Sequence, residues 1–470
     1  MDEVLLRGAG ADICLTFDAP VSRAGLRRQV AERQAALAAA GLRRGGSAAL
    51  CLAPSLALVA NLLAGWRIGA QVALLDHRLT AFETEQALNR LETQVVVSAE
   101  PVGSGPARGF YEQNDVARGR PGGGPARTPH ALIQLSSGST GPSKIIGRTA
   151  AGLIAEIDRY ARIDGVPGAG ERIVSMASMV HVLGLVGGLL HSLHAGVLLA
   201  FPRRTTGEGI LSTVAAGPEP TTLLGVPFHL ELLSWVAQPP PLPQLIGMTT
   251  GGELVRPQVH DAFTDRYGIR LGSMYGMTEV GVIATDLFGE NRPALAPAPG
   301  MTVRESGGEL LLAAEQSPYV GLDDPSRWSG GWLHTRDGGT VDPDTGLVRV
   351  LGRLDSQVSV GGLKVDLTEV EHTLAALPEV AAAVVVFGTS IEAYAVLRES
   401  GTAAQVEAGL AERLAAYKRP RLLHVVDRLP RTATGKLVRD PAVLRDAGRA
   451  AHRPSAQEQA DRKENTPDVH

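Results

Sequence analysis

The chain has 470 residues, 44% of them hydrophobic and 20% charged, enough for two or three domains with substantial cores. Its net charge is −4 with Lys and Arg scattered, which excludes an electrostatic footprint for nucleic acid or for an anionic membrane. Two cysteines, Cys14 and Cys51, are too few for a disulfide framework, so reduced thiols and a cytoplasmic setting are expected. The opening "MDEVLLRGAG" carries acid early and lacks the basic-then-apolar layout of a signal peptide. In chain order, Ser22 is expected to cap a helix that runs to about Ala40, with Gly41 as its stop. A buried strand at Ala48–Ala53 follows, then a helix from Ser55 to about Ile68 and a strand at Gln71–Asp76. Thr80 opens a third helix, and Gln94–Ser98 reads as a third strand. Helices alternating with short apolar strands predict a parallel sheet covered by helices. The Gly-, Pro- and Arg-rich run from Pro101 to Pro129 reads as a surface connection.

The strongest candidate for a membrane span is Met179–Phe201. His181, His191, His194 and four glycines interrupt it, so a buried helix and strand are expected instead. From Gly346 to Glu371 short strands alternate with a two-residue period, and Thr368 with Glu371 reads as a capping box for the next helix. Two strand-like runs, "VAAAVVVFG" and "EAYAVLRE", and a helix from about Ala403 to Tyr417 complete a compact α+β unit. The polar tail from about Gly448 reads as disordered.

The stretch "LSSGSTGPSK", Leu135 to Lys144, cannot build a core. A Ser/Gly run alone is by default a flexible linker. Placed after an apolar strand, it also has what a polyphosphate needs: backbone N–H groups, hydroxyls and a lysine aimed at one point. It is not a Walker A loop, because no glycine precedes Lys144 and Ile145 stands where Ser or Thr belongs.

Four further stretches decide between these readings: "SMYGMTE" (Ser273 to Glu279), "LHTRDGG" (Leu333 to Gly339), "GRLDSQVSVGGLKVDLTEVE" (Gly352 to Glu371) and "LPRTATGK" (Leu429 to Lys436). In this order and spacing the chain resembles the adenylate-forming superfamily of acyl- and aryl-CoA ligases, peptide-synthetase adenylation domains and luciferases. The "QLSSGSTGPSKIIGRT" and "GGLKV" stretches are most similar to those of stand-alone aryl-acid AMP ligases. The resemblance implies an α/β fold, with a large N-terminal domain of parallel-rich sheets and covering helices over 1–353. A small mobile α+β domain over 354–447 would turn about a hinge at Asp355, leaving 448–470 as tail. It implies that Ser137, Gly138, Ser139, Thr140, Gly141 and Lys144 embrace the ATP phosphates. Gly251, Gly252 and Glu253 would line the adenine side, with Tyr275 stacking nearby. Thr278 would touch the α-phosphate, and Glu279, with Thr140, would hold Mg²⁺. Asp337 would accept the ribose hydroxyls, supported by Arg353. Lys436, which in isolation would be an ordinary solvated lysine, would be the family's mobile catalytic lysine. His181 would gate the acid pocket, although a lone histidine among apolar residues reads equally as a satisfied core residue.

The implied reaction is ATP-dependent adenylation of a carboxylic acid, followed by transfer to the thiol of CoA or of a phosphopantetheine acyl or peptidyl carrier protein. Between Glu171 and Phe201 there is no aspartate to pair an α-ammonium group, so an aromatic or short apolar acid is expected. The alternatives are an adenylating enzyme with another acceptor, such as one activating nitrite to diazotise an aryl amine, and a non-catalytic nucleotide-binding relative. Retention of Lys436, Glu279 and Asp337 together speaks against the last. Two positions depart from the family's pattern. Arg336 occupies a glycine site beside the ribose aspartate, and Ser359 and Gly361 stand where lysine and arginine are common.

Overall fold

Side-chain caps start the first helices where the local sequence puts them. Ser22 accepts from Gly25 N–H to begin Arg23–Ala39, and Ser55 accepts from Leu58 N–H to begin Leu56–Ile68. Thr80 and Glu83 form a reciprocal capping box on Ala81–Leu91. In this computed structural model, which describes residues 1–100, 108–136, 144–354, 356–430 and 438–445, those helices cover a sheet. Ser137 to Gly141, Asp355, Lys436 and the tail 448–470 lie outside the described residues.

The strands Val95–Ala99, Ser47–Cys51, Gln71–Leu74 and Leu132–Ser136 run parallel side by side. Antiparallel strands Asp115–Gly119 and Lys144–Arg148 close the two edges of this six-stranded sheet. The Asp115–Gly119 strand corrects the reading of 101–129 as a plain surface connection. Its sequence, DVARG, has no apolar pattern, but pairing along a sheet edge is made by backbone groups.

A second sheet has nine strands, and its six central ones are parallel, from Arg270–Met277 through Leu245–Gly251, Thr221–Gly225, Arg172–Ser175 and Leu198–Ala200 to Ile13–Thr16. Residues of both sheets and of the helices between them, including Leu26, Leu50, Leu62, Leu132 and Leu189, form one core. The apolar stretch Met179–Phe201 is buried in it as expected, as a π-helical segment Leu183–Leu190, a turn of α-helix His191–Ala195 and the strand Leu198–Ala200. His191 donates there from Nε2 to Pro167 O at 2.8 Å, while its buried Nδ1 has no partner among the described residues. Among the described residues no helix is long and apolar enough to cross a membrane. Both cysteines are free, Cys14 buried and Cys51 partly so.

A third, antiparallel sheet contains Glu309–Ala313, Trp332–Val341 and Val348–Arg353. The C-terminal unit follows, with the hairpin Gln357–Val360/Leu363–Asp366, the helices Leu367–Ala375 and Ala403–Arg413, and the sheet Val380–Phe387, Ile391–Leu397, Leu422–Val425. It has its own core around Val370, Leu374, Val385, Ala395 and Val406. Two expectations are corrected in this unit. Asp366, not Thr368, caps the first helix, accepting from Thr368 N–H. Glu371 instead takes Val385 N–H at 2.8 Å and a bidentate pair with Arg439, so it ties helix to sheet. The last helix ends at Arg413 and not at Tyr417. Leu414 is extended, and a 3₁₀ turn, Ala416–Lys418, redirects the chain toward the large domain.

Candidate active site

A cleft of about 1450 Å³ lies where the carboxyl ends of the parallel strands meet the C-terminal unit. The ends of open parallel sheets collect ligands because loops and helix starts converge there. Every described residue of the expected set borders it: Lys144, His181, Gly251, Gly252, Glu253, Tyr275, Thr278, Glu279, Asp337 and Arg353.

Asp337 is the best-defined group. It is held from two sides, by Tyr275 OH donating to Oδ2 at 2.6 Å and by Arg353 Nη1 donating to Oδ1 at 3.2 Å. Thr335 fixes its backbone, accepting Asp337 N–H at 3.0 Å while donating to Leu310 O at 2.7 Å. Burial and the neighbouring Asp337 carboxylate push the Tyr275 phenol well above its ordinary pKa, so it stays a donor. Arg336, at the family's glycine site, turns away from the cleft, with Nη2 on Ser326 O at 2.7 Å.

Glu279 sits deeper, accepting from Tyr319 OH at 3.2 Å. Burial raises its pKa, opposed by a backbone hydrogen bond and by the charges of Lys144 and Arg353. The turn that carries it is braced by a buried ion pair, Arg148 with Glu156. Arg148 donates to Thr278 O at 3.3 Å and Glu156 accepts Val282 N–H at 3.1 Å. A Cβ on Gly281 would fall 1.5 Å from the Glu156 carboxylate, so only glycine fits between turn and brace. Ser136 and Lys144 are register partners, so the residues flanking the Ser/Gly stretch lie side by side at this end.

A hard, partly exposed carboxylate near a lysine suits a Mg²⁺ that takes most of its ligands from phosphate and water. Among the described residues there is no cluster of three or more candidate metal ligands.

At the opposite wall His181 precedes the π-helical segment and does not lie within a helix, as the sequence had implied; its N–H donates to Ser178 O at 3.2 Å. Burial lowers its pKa, with Asp76 opposing and Arg78 reinforcing the shift. Burial alone would raise Asp76, but its hydrogen bonds to Arg78, through Nε at 2.8 Å and Nη2 at 2.6 Å, hold it well below the carboxylate range.

The C-terminal unit closes the cleft through its hairpin. Gly362 N–H donates to Glu253 Oε1 at 2.6 Å and Lys364 Nζ to Gly252 O at 2.6 Å. Farther out, Lys418 is buried between Glu83 of the large domain and Glu369, each at 2.8 Å. Burial opposes its charge, yet the two carboxylates and Tyr417 hold its pKa above the ordinary lysine value. The motifs had not pointed to Arg148, Glu156, Tyr319, Lys364 or Lys418. Of these Arg148, inside "IIGRT", and Lys364, inside "GGLKV", lay in stretches the motifs covered, without a role assigned.

Two family models match the chain. That for the AMP-binding enzyme matches residues 12–316, and that for the AMP-binding enzyme C-terminal domain matches 369–436. The chain belongs to the AMP-binding enzyme family. It is similar to the p-hydroxybenzoic acid–AMP ligase FadD22 of Mycobacterium tuberculosis, 29% identical over 450 residues that cover 85% of this chain and 61% of that protein. It is also 29% identical over 367 residues to the benzoate–CoA ligase of Thauera aromatica, covering 70% of this chain and 67% of that one. The chain therefore spans less than two thirds of the length of FadD22. Its fold matches the o-succinylbenzoate CoA synthetase MenE of Bacillus subtilis with a TM-score of 0.78 at 23% identity, over 93% of this chain and 96% of that one. This AMP-binding enzyme thus has the family's large α/β domain and small C-terminal domain.

Proposed function

We propose that this AMP-binding enzyme adenylates a carboxylic acid, aromatic or short and apolar, and then passes the acyl group to the thiol of CoA or of a carrier protein. In the first step a carboxylate oxygen attacks the α-phosphorus of ATP and pyrophosphate leaves. In the second a thiol sulfur attacks the acyl carbonyl, AMP leaves, and the thiol proton goes to solvent. The observation that carries the reading is the Asp337 cradle and the Glu279 carboxylate in one cleft with His181. A carboxylate fixed by Tyr275 and Arg353 is a preorganised acceptor for vicinal ribose hydroxyls. Lys144 and the Ser137–Gly141 stretch hold phosphates, and Lys436 neutralises charge that grows between carboxylate and α-phosphate. Mg²⁺, when bound by Glu279 and Thr140, supplies further charge neutralisation.

Aromatic acids are favoured because no aspartate between Glu171 and Phe201 can pair an α-ammonium group, and FadD22 and the benzoate–CoA ligase are named for aromatic acids. The small domain, with Gly362 and Lys364 bonded to Glu253 and Gly252, is poised for the second step. For the first step it turns about Asp355 to bring Lys436 in, a gating motion. An activity fed by ATP and CoA, on a chain with two free thiols, fits a cytoplasmic setting.

Pyrophosphate release measured over aromatic, short apolar and α-amino acids, with and without nitrite and an aryl amine, tests this. Aromatic or short apolar acids should drive it best. Release strongest with an α-amino acid would refute the acid class, and release that requires nitrite would refute the acid altogether.

A further inference from the structure

Helix Pro227–Ser234 begins beside the cleft, and its first backbone donor, Val226 N–H, is taken by a side chain from within the helix. His229 reaches back and accepts it on Nδ1 at 3.1 Å. An imidazole nitrogen that accepts a hydrogen bond carries no proton, so the ring's one proton sits on Nε2. Burial pushes the ring's pKa down to about 4, so at neutral pH it is uncharged and presents a single N–H.

The ring is firmly placed. A Cβ at Gly225 would come within 3.0 Å of both His229 Nδ1 and Met176 Cε, so glycine leaves just the room the ring needs. Phe228 meets it edge-on at 5.7 Å. His229 is 8% exposed and borders the cleft beside Met176, Val226 and Phe228, and its Nε2 has no hydrogen-bond partner among the described residues. The strand before it, Thr221–Gly225, is separated by one strand from Arg270–Met277, which leads into Thr278 and Glu279. Two inter-strand spacings are roughly 10 Å, about the reach of a substituted benzoate from its carboxylate end.

We propose that the Nε2–H of His229 is a specificity-determining donor, selecting acids with a hydroxyl, ether or keto oxygen on the part of the molecule remote from the reacting carboxylate. The inference rests on the adenylation reading and specifies its acid. An acid that fills this corner displaces water from Nε2–H. If it brings no acceptor, a polar group is left unpaired among apolar neighbours, which costs more than the hydrogen bond would have gained.

The test is ATP–pyrophosphate exchange with benzoates bearing methyl, hydroxyl or acetyl at each ring position, in the wild type and in His229→Phe. In the wild type the best oxygen-bearing acid should exceed its methyl counterpart in kcat/KM by about tenfold or more. In His229→Phe this ratio should fall toward one, whereas loss of a helix cap alone would change all acids alike. A wild-type ratio of one or below overturns the proposal without any variant, and so does an unchanged ratio in a folded variant. Absence of exchange with every acid overturns the adenylation reading, and the proposal with it.

Discussion

Arg336 stands in left-handed backbone at φ 60°, next to the Asp337 that two side chains hold in place. Glycine at this position would relieve backbone strain and is not needed to open the cleft, because the arginine side chain leaves it for Ser326 O. Arg336→Gly should therefore keep adenylation and change stability by no more than about 1 kcal/mol, since relief of the left-handed strain offsets the greater freedom of the unfolded chain. Arg336→Val, β-branched at positive φ, should lower the melting temperature clearly in thermal unfolding. The residues of the nucleotide side were legible because each lies in a short motif of distinctive composition. Their supports were not: Tyr319 meets Glu279 across 40 residues, and Glu156 braces Val282 across 126. Contacts over such separations leave no local pattern.

The hairpin turn Gly361–Gly362 joins the C-terminal unit to the large domain through Gly362 N–H and Glu253. Both residues have positive φ, 56° and 82°, as a two-residue turn joining Val360 to its partner Leu363 requires. A Cβ at Gly362 would lie 2.6 Å from Val226 Cγ1, a branched side chain with little freedom to yield. Gly362→Ala should unseat the turn from Glu253 and slow thioester formation from supplied acyl-adenylate by about tenfold or more, while adenylate formation stays within about threefold. Single-turnover assays of the two steps check this. Elements with local punctuation, such as the Ser22, Ser55 and Thr80 caps, were readable to within a residue or two. The cap expected at Thr368 falls two residues earlier, on Asp366, the last residue of the hairpin's second strand. The strand Asp115–Gly119 depends on an edge that only the folded sheet offers.

For the whole molecule, the small domain is held against the large one by the Lys418 pair, whose partner Glu83 lies 335 residues away. The two-domain plan was legible from the change in period near Gly346, but the seating of the domains was not. Stability should depend on pH through buried histidines. Burial lowers His191 and His229 to about 4, so the folded state favours their neutral forms. That contribution is complete above the unfolded value near 6.5 and is lost as pH falls toward 4, at about 2 kcal/mol per ring by pH 5. Glu279, with its raised pKa, works in the opposite sense: its contribution is complete below the unfolded value near 4.5 and is lost as pH rises through its folded value. Unfolding midpoints in denaturant should therefore drop between pH 7 and pH 5, and a flat profile would contradict the burial of these rings.

On the proposed mechanism one cleft serves two steps through two placements of the small domain, only one of which brings Lys436 to the nucleotide. The most direct measurement is the rate of each half-reaction in Lys436→Ala. Adenylate formation should fall by about a hundred- to a thousandfold, the usual effect of removing one preorganised donor, while thioester formation from supplied acyl-adenylate stays within about threefold. Equal loss of both steps in a folded variant would contradict this mechanism.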